Sequence, residues 1–361
     1  MFKFCYLIIT FLTTSFIWQA SAEIIPFDDP RWTLVGDDTE VINMDGKSVL
    51  STTDGSAYIA DANFENGIIE FDVMFPDDSQ GFSGATWRMQ PDGSYEHFYI
   101  RPHLGNKPDS SQYTPVFHHD TGWQIYFGSN YSAILPIKYK DWTHVKIVVS
   151  GDMAEIYVDS SEPVLVIGDL KADLSSGDVG VSSTFAPAYY KDFSLEIIEN
   201  PHITEKAKQE TEVAENLLKT FHMSEAVSDE MTTPETYTGN WTRASVETNG
   251  VLNISRYKQR SDGYNTVLIK LDIVSEAEQI KKFLFGYSDD IAVFVKGRPV
   301  AGGTNIYQSR DYRYLGTIGL FDHVYLPLET GKNEVYFAVK ENFGGWGFMG
   351  KFENMDGISV K

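Results

Sequence analysis

Ile68-Ile69-Glu70-Phe71-Asp72-Val73-Met74-Phe75, Ala85-Thr86-Trp87-Arg88-Met89-Gln90 and Tyr95-Glu96-His97-Phe98-Tyr99-Ile100-Arg101-Pro102-His103 are three runs with a period of two. In the first, Ile69, Phe71, Val73 and Phe75 alternate with Ile68, Glu70, Asp72 and Met74. In the second, Ala85, Trp87 and Met89 alternate with Thr86, Arg88 and Gln90. In the third, Phe98 and Ile100, with Glu96, alternate with Tyr95, His97, Tyr99, Arg101 and His103. Successive side chains of a strand point to opposite faces, so each run offers one face to a core and one to solvent or a ligand. Solvation alone needs no more than Lys, Ser and Thr, whereas these outer faces carry Glu, Asp, Arg, His and Tyr. Read as consecutive strands of one antiparallel sheet, the runs place Glu70, Asp72, Arg88, His97, Tyr99 and Arg101 on one equipped surface.

Outward from there, residues 23–198 are dense in short alternating runs, clearest at 143–149, 154–158, 164–167, 179–182 and 193–198. Asp54-Gly55, Asn66-Gly67, Asp92-Gly93 and Gly151-Asp152 supply turn signals between them. Many short strands at this spacing predict a β-sandwich or jelly roll. Ile203, Ala207, Ala214, Leu218 and Phe221 fall at helical spacings in a segment free of Gly and Pro, which predicts one amphipathic helix. Strand patterns resume at 251–254, 265–273, 282–287, 291–295, 323–328 and 333–339, with Lys296-Gly297-Arg298 and Thr330-Gly331-Lys332-Asn333 as hairpin signals. The expected fold class is all-β: two β-sandwich (jelly-roll) domains, 23–200 and 223–361, joined by a helical connector at 201–222.

The first 22 residues stand apart. Lys3 precedes an apolar run through Phe16, Ile17 and Trp18, and Ala20-Ser21-Ala22 closes it as a small-x-small cleavage site. This reads as a signal peptide, which predicts a secreted or periplasmic protein cleaved near Ala22 and not an integral membrane protein. Cys5, the single cysteine, lies inside that segment, so the mature chain is expected to have no disulfide, thiolate metal site or cysteine nucleophile. The formal charge of −22 repels phosphates and argues against nucleic acid as a partner.

Residues 67–126 resemble the concanavalin A-like jelly rolls, in particular the laminin-G-like branch and domains grouped with 3-keto-disaccharide hydrolases. The stretches that carry the resemblance are Asn66-Gly67-Ile68-Ile69-Glu70-Phe71-Asp72-Val73, Gly84-Ala85-Thr86-Trp87-Arg88, Tyr95 through His103, Gln112-Tyr113-Thr114-Pro115-Val116-Phe117 and Trp142-Thr143-His144-Val145-Lys146. The resemblance covers about half of the chain. It implies a two-sheet sandwich whose concave face receives glycan, a function class that the fold alone does not specify. Arg88, His97, Tyr99, Arg101 and His103 then become candidate glycan contacts, with Tyr113, Trp123 and Tyr126 as further stacking rings. In the second half, Phe285 through Val295, Lys296-Gly297-Arg298-Pro299-Val300 and the closing Gly344-Gly345-Trp346-Gly347-Phe348 resemble the galactose-binding-like jelly rolls. Trp346, Phe343 and Tyr312 are candidates there for an aromatic platform on the rim.

Catalysis is the competing expectation. Glu70 and Asp72 stand at i and i+2, ~7 Å apart on one strand face, within reach of two-carboxylate glycoside chemistry. Family-16 glucanases of the same superfamily carry a Glu-x-Asp-x-x-Glu strand. Here Met74 and Phe75 follow, and the third carboxylate is missing. Ion pairing of Glu70 and Asp72 with Arg88 and Arg101 is the structural alternative. His97, His103 and the adjacent His118-His119 show no tetrahedral ligand pattern, so no metal cofactor is expected, although Asp77-Asp78 and Asp289-Asp290 leave calcium open. The leading expectation is an exported, non-catalytic protein whose partner is a glycan or polysaccharide. A glycoside hydrolase using Glu70 or Asp72 and a surface protein binding another protein are the alternatives. Oligomeric state is not readable from these features.

Overall fold

Gly67–Met74 and Trp142–Ser150 run antiparallel, with Phe71 opposite Val145 and Ile69 opposite Ile147. The computed structural model describes residues 22–172, 175–206, 213–214, 216–228, 233–310 and 316–361. The pair lies at the centre of a sheet ordered Leu165–Ile167, Met153–Val158, Trp142–Ser150, Gly67–Met74, Ala188–Ile197, Lys47–Thr52 and Glu40–Met44. A second sheet runs Asp120–Thr121, Ser111–Phe117, Tyr95–Ile100, Phe82–Met89, Gly177–Thr184, Gly55–Phe64 and Trp32–Val35. Ile69, Phe71 and Val73 from the first sheet meet Trp87, Phe98 and Tyr113 from the second in one core. The alternation read from the sequence therefore holds along Gly67–Met74 and Tyr95–Ile100, and along Phe82–Met89 as far as Trp87, because burying a single face requires it.

Their expected grouping does not hold. Gly67–Met74 belongs to the first sheet, whereas Phe82–Met89 and Tyr95–Ile100 pair with each other in the second. Glu70 and Asp72 thus lie across the sandwich from His97 and Tyr99, not beside them. The chain changes sheets at Gly67, which has φ +146, and a Cβ there would lie 2.0 Å from the Glu196 carbonyl oxygen. Only glycine fits that crossing.

A second core gathers Phe221, Met223, Leu271, Phe283, Phe337, Trp346 and Phe348 between a seven-stranded and a four-stranded sheet, all pairings antiparallel. The fold is all-β and built of jelly-roll-like sandwiches. Asp290–Val295 and Arg298–Thr304 form the hairpin expected at Lys296-Gly297, both of whose φ angles are positive (50° and 70°). Thr330-Gly331-Lys332-Asn333 closes no hairpin: Asp322–Leu328 pairs with Gln279–Tyr287 in one sheet and Gly331–Lys340 with Thr266–Ser275 in the other. The connector helix is also absent among the described residues. Thr220–Val227 is a strand, with Phe221 and Met223 buried, so period-two burial overrides the weak helical spacing there. Ala207 lies outside the described residues.

Residues 120–126 tie the two cores together. Asp120 accepts from the Arg260 guanidinium, the Gln124 amide donates to the Gly344 carbonyl (2.8 Å), and the Tyr126 hydroxyl donates to Glu247 (2.6 Å). Ile125 and Tyr126 also pack against Val251, Ile318 and Met349. Among the described residues no helix is long and apolar enough to cross a membrane.

Candidate functional site

In Tyr95–Ile100, Phe98 and Ile100 turn into the core and Tyr95, His97 and Tyr99 turn outward. The outward rings form a continuous surface. Tyr95 and His97 have centroids 6.0 Å apart, His97 and Tyr99 4.8 Å, Tyr99 and Phe82 5.3 Å, and Phe82 and Phe185 6.2 Å. With Val116, His119, Thr121, Trp123, Thr184 and Phe343 these residues line a groove of about 140 Å³. The groove shares Tyr95 and His119 with a cleft of about 550 Å³ that runs past Tyr58, Asp61, Gln90 and Asp178.

Electrically the floor is neutral. Burial pushes the His97 imidazole down to about 3, so the ring is uncharged at ordinary pH. Its Nε2 is buried and has no hydrogen-bond partner, and neither does the Trp123 indole N–H. Buried polar atoms are rarely left unpaired, and both of these belong to residues that line the groove. Beneath the floor Glu96 is fully buried, accepts from the Tyr113 hydroxyl (2.6 Å) and the Ala172 amide (3.0 Å), and is pushed up to about 7 by burial. It faces the core and is closed to a ligand.

The expected site residues divide sharply. His97, Tyr99 and Trp123 line the groove. Arg101 does not. It is buried, and it donates to the Asp109 carbonyl (2.7 Å), the Tyr99 hydroxyl (3.1 Å) and Gln112 while lying against the Phe82 and Tyr99 rings. Both terminal nitrogens hold the groove floor, so Arg101 lies beneath the groove and not, as expected, among its lining residues. Arg88 is also fully buried. A positive φ (54°) next to a bulge turns it to the end of the sandwich, where it donates to the Glu65 (2.9 Å) and Gly151 (2.6 Å) carbonyls. Tyr113 points into the core, and Tyr126 is buried at the joint between the cores, so neither is a stacking platform. His103 sits in the short turn Pro102–Leu104, where its Nδ1 accepts from Gly81 (3.4 Å), and it does not line the groove.

Glu70 and Asp72 meet neither Arg88 nor Arg101. Cross-strand register sets Asp72 against His144 (2.9 Å), with Lys191 at 3.6 Å, and sets Glu70 against Lys146 (3.6 Å). His118 and His119 occupy the turn before Asp120 with positive φ angles. His118 lies 3.5 Å from Asp92, and the His119 ring covers Gly93, where a Cβ would lie 2.3 Å away. Among the described residues no three His, Cys, Asp or Glu side chains converge as metal ligands. Asp77 instead caps its own turn by accepting from the Ser79 amide (2.9 Å), and Asp289 accepts from the Asn342 (2.8 Å) and Phe343 (2.9 Å) amides. In the second half Trp346 is core, donating to the Val339 carbonyl (3.1 Å), while Phe343 reaches the groove. Tyr312 lies outside the described residues.

Sequence reasoning passed over Phe82 and Phe185. A large ring in the turn Thr184-Phe185-Ala186-Pro187, where no core demands it, was the one available signal for the latter.

No family model and no curated protein matches this chain. Among solved structures, a carbohydrate-binding module (CBM66) from Bacillus subtilis overlays 46% of this chain and 95% of its own, at 18% identity and a TM-score of 0.36. The Crh5 transglycosylase overlays 49% of this chain and 85% of its own, at 12% identity and a TM-score of 0.39. The β-glucanase of Bacillus licheniformis overlays 50% and 99%, at 11% identity and a TM-score of 0.36. At such levels they are likenesses only, and no residue's role is carried over from them.

Proposed function

We propose that this protein binds glycan in the ring-lined groove over His97 and does not turn it over. The carrying observation is the groove itself: a neutral floor of Tyr95, His97 and Tyr99 whose buried His97 Nε2 has no partner. Sugars match that chemistry, since their C–H faces stack on rings and their hydroxyls both donate and accept. The described residues lining this groove include no Asp or Glu, whereas two-carboxylate hydrolysis needs a pair flanking the bond to be cleaved. Glu70 and Asp72, ion-paired on the opposite side of the sandwich, lend hydrolysis no support.

The resemblance of residues 67–126 to concanavalin A-like jelly rolls agrees with this reading, as does a leader at residues 1–22 that would export the protein to extracellular polysaccharide. The second sandwich belongs to the same proposal as a galactose-binding-like accessory unit. The test is a polysaccharide array read for both retention and released reducing ends. Retention without release is expected, and release that Glu70→Gln abolishes would replace binding with hydrolysis.

A further inference from the structure

Trp123 walls two hollows at once. On one side it borders the ring-lined groove, and on the other a cleft of about 700 Å³ at the joint between the two sandwiches. That cleft is lined from the first half by Phe127 and Ile134 and from the second by Tyr307 and Thr317. Phe343 and Tyr307, both from the second half, flank the Trp123 ring with centroids 6.2 Å away in each case.

The second half is held tightly to this position. Gly344 has φ +119, and a Cβ there would lie 2.7 Å from the Trp123 ring, so the loop carrying Phe343 comes as close to Trp123 as a backbone can. The Phe343 amide is anchored on Asp289 (2.9 Å), and the Gln124 amide on the Gly344 carbonyl (2.8 Å). Phe343 and Tyr307 nevertheless keep 50% and 43% of their surface exposed, as do Phe127 (44%) and Ile134 (61%). Anchored backbone with exposed rings is costly to leave in water without a partner. Trp123 itself is mostly buried and forms the ridge that separates the two hollows.

We infer that the two hollows form one track, and that its ligand is a polysaccharide chain of several units, with the second sandwich supplying the far subsites through Tyr307 and closing the near groove with Phe343. This rests on the glycan reading of the His97 groove and extends it. A single sugar unit would use the groove alone. A chain crossing the Trp123 ridge would stack on rings from both halves and cover apolar surface that one unit cannot reach.

The test uses the full chain. Immobilised starch, xylan, β-glucan, galactomannan, levan and pectin identify the polysaccharide retained, and calorimetry then follows its own oligomers from two to eight units. Affinity is expected to rise about tenfold or more from the shortest to the longest, the factor that about 1.4 kcal/mol of added contact gives. Tyr307→Ala should cut into that rise and leave the shortest oligomer within twofold of the parent, whereas Phe343→Ala, at a ring that also lines the groove, should weaken oligomers of every length. His97→Ala should weaken oligomers of every length. Both exposed rings can be truncated without opening a core, and an unchanged melting temperature verifies this for each variant. Affinity independent of length, or a length dependence untouched by Tyr307→Ala, overturns the track and leaves the groove standing. Retention on none of the six polysaccharides overturns the glycan reading and the track with it.

Discussion

The first sandwich has two outer faces, and they differ in kind. On one, Glu70 faces Lys146, and Asp72 faces Lys191 and the His144 ring, across neighbouring strands. On the other, Tyr95, His97, Tyr99 and Phe82 form a sheet of rings with an imidazole nitrogen unpaired. Both strands read alike in the sequence, apolar residues alternating with polar ones. A face whose charges are already satisfied by cross-strand pairs has little left to offer a ligand, whereas rings beside unpaired polar atoms have free energy to gain by covering. Charge density is therefore a poor guide to which face has bonding left to offer, and unmet bonding is a better one.

The comparison can be broken most directly at Arg101. Arg101→Ala should destabilise the protein by about 3 kcal/mol, because buried acceptors lose a charged donor and the Tyr99 ring loses its support. A melting temperature close to wild type would return Arg101 to the surface role expected from the sequence. Next in size is the burial of Glu96. Its carboxyl titrates near 7 in the folded protein against about 4.5 unfolded, so the folded state binds the extra proton. Stability from this group is fully present below pH 4.5 and is lost as pH rises through 7. Denaturation midpoints should fall from pH 5 to pH 8 and fall less in Glu96→Gln; an unaltered profile in that variant would assign the dependence elsewhere.

On the ring face, Tyr95→Ala combined with His97→Ala should lower glycan affinity about tenfold, the worth of a hydrogen bond plus a lost stacking surface. Affinity unchanged by the double variant would move the site off this face. His97 carries a further consequence: with its ring neutral down to about pH 3, binding measured between pH 5 and 8 should show no titration from it. The smallest effect belongs to the opposite face. Asp72→Asn and Glu70→Gln should each change stability by less than about 1 kcal/mol and leave binding unaltered, as partly exposed ion pairs do. A loss of binding there would make the two faces equivalent after all.

Most strands were legible, and for a local reason. Tyr95–Ile100, Phe82–Met89, Trp142–Ser150 and Thr266–Ser275 lie where alternation indicated, since a period of two survives any arrangement of the strands around it. Half-legible were the site residues: His97 and Tyr99 face outward as their parity required, but Arg101, of the same parity, bends back under Tyr99. Arg88 left its face altogether because a bulge with positive φ redirected it. Residues 202–221 misled because a few apolar residues at helical spacing weigh less than the core that Phe221 and Met223 enter as alternate residues of a strand.

What the sequence determined by itself was which residues of each strand share a face, and hence an all-β chain with apolar cores, because side-chain parity and turn chemistry act over a few residues. Which sheet each strand joins was decided only in three dimensions. At Gly67 the chain crosses from one sheet to the other, and at Thr330-Gly331 it does so again, with no local mark to tell such a crossing from a hairpin. The same holds for the groove. His97, Trp123 and Phe185 are far apart in the chain and meet through the pairing of the first sandwich's strands, and the packing of the second sandwich against residues 120–126 adds Phe343 to the same surface.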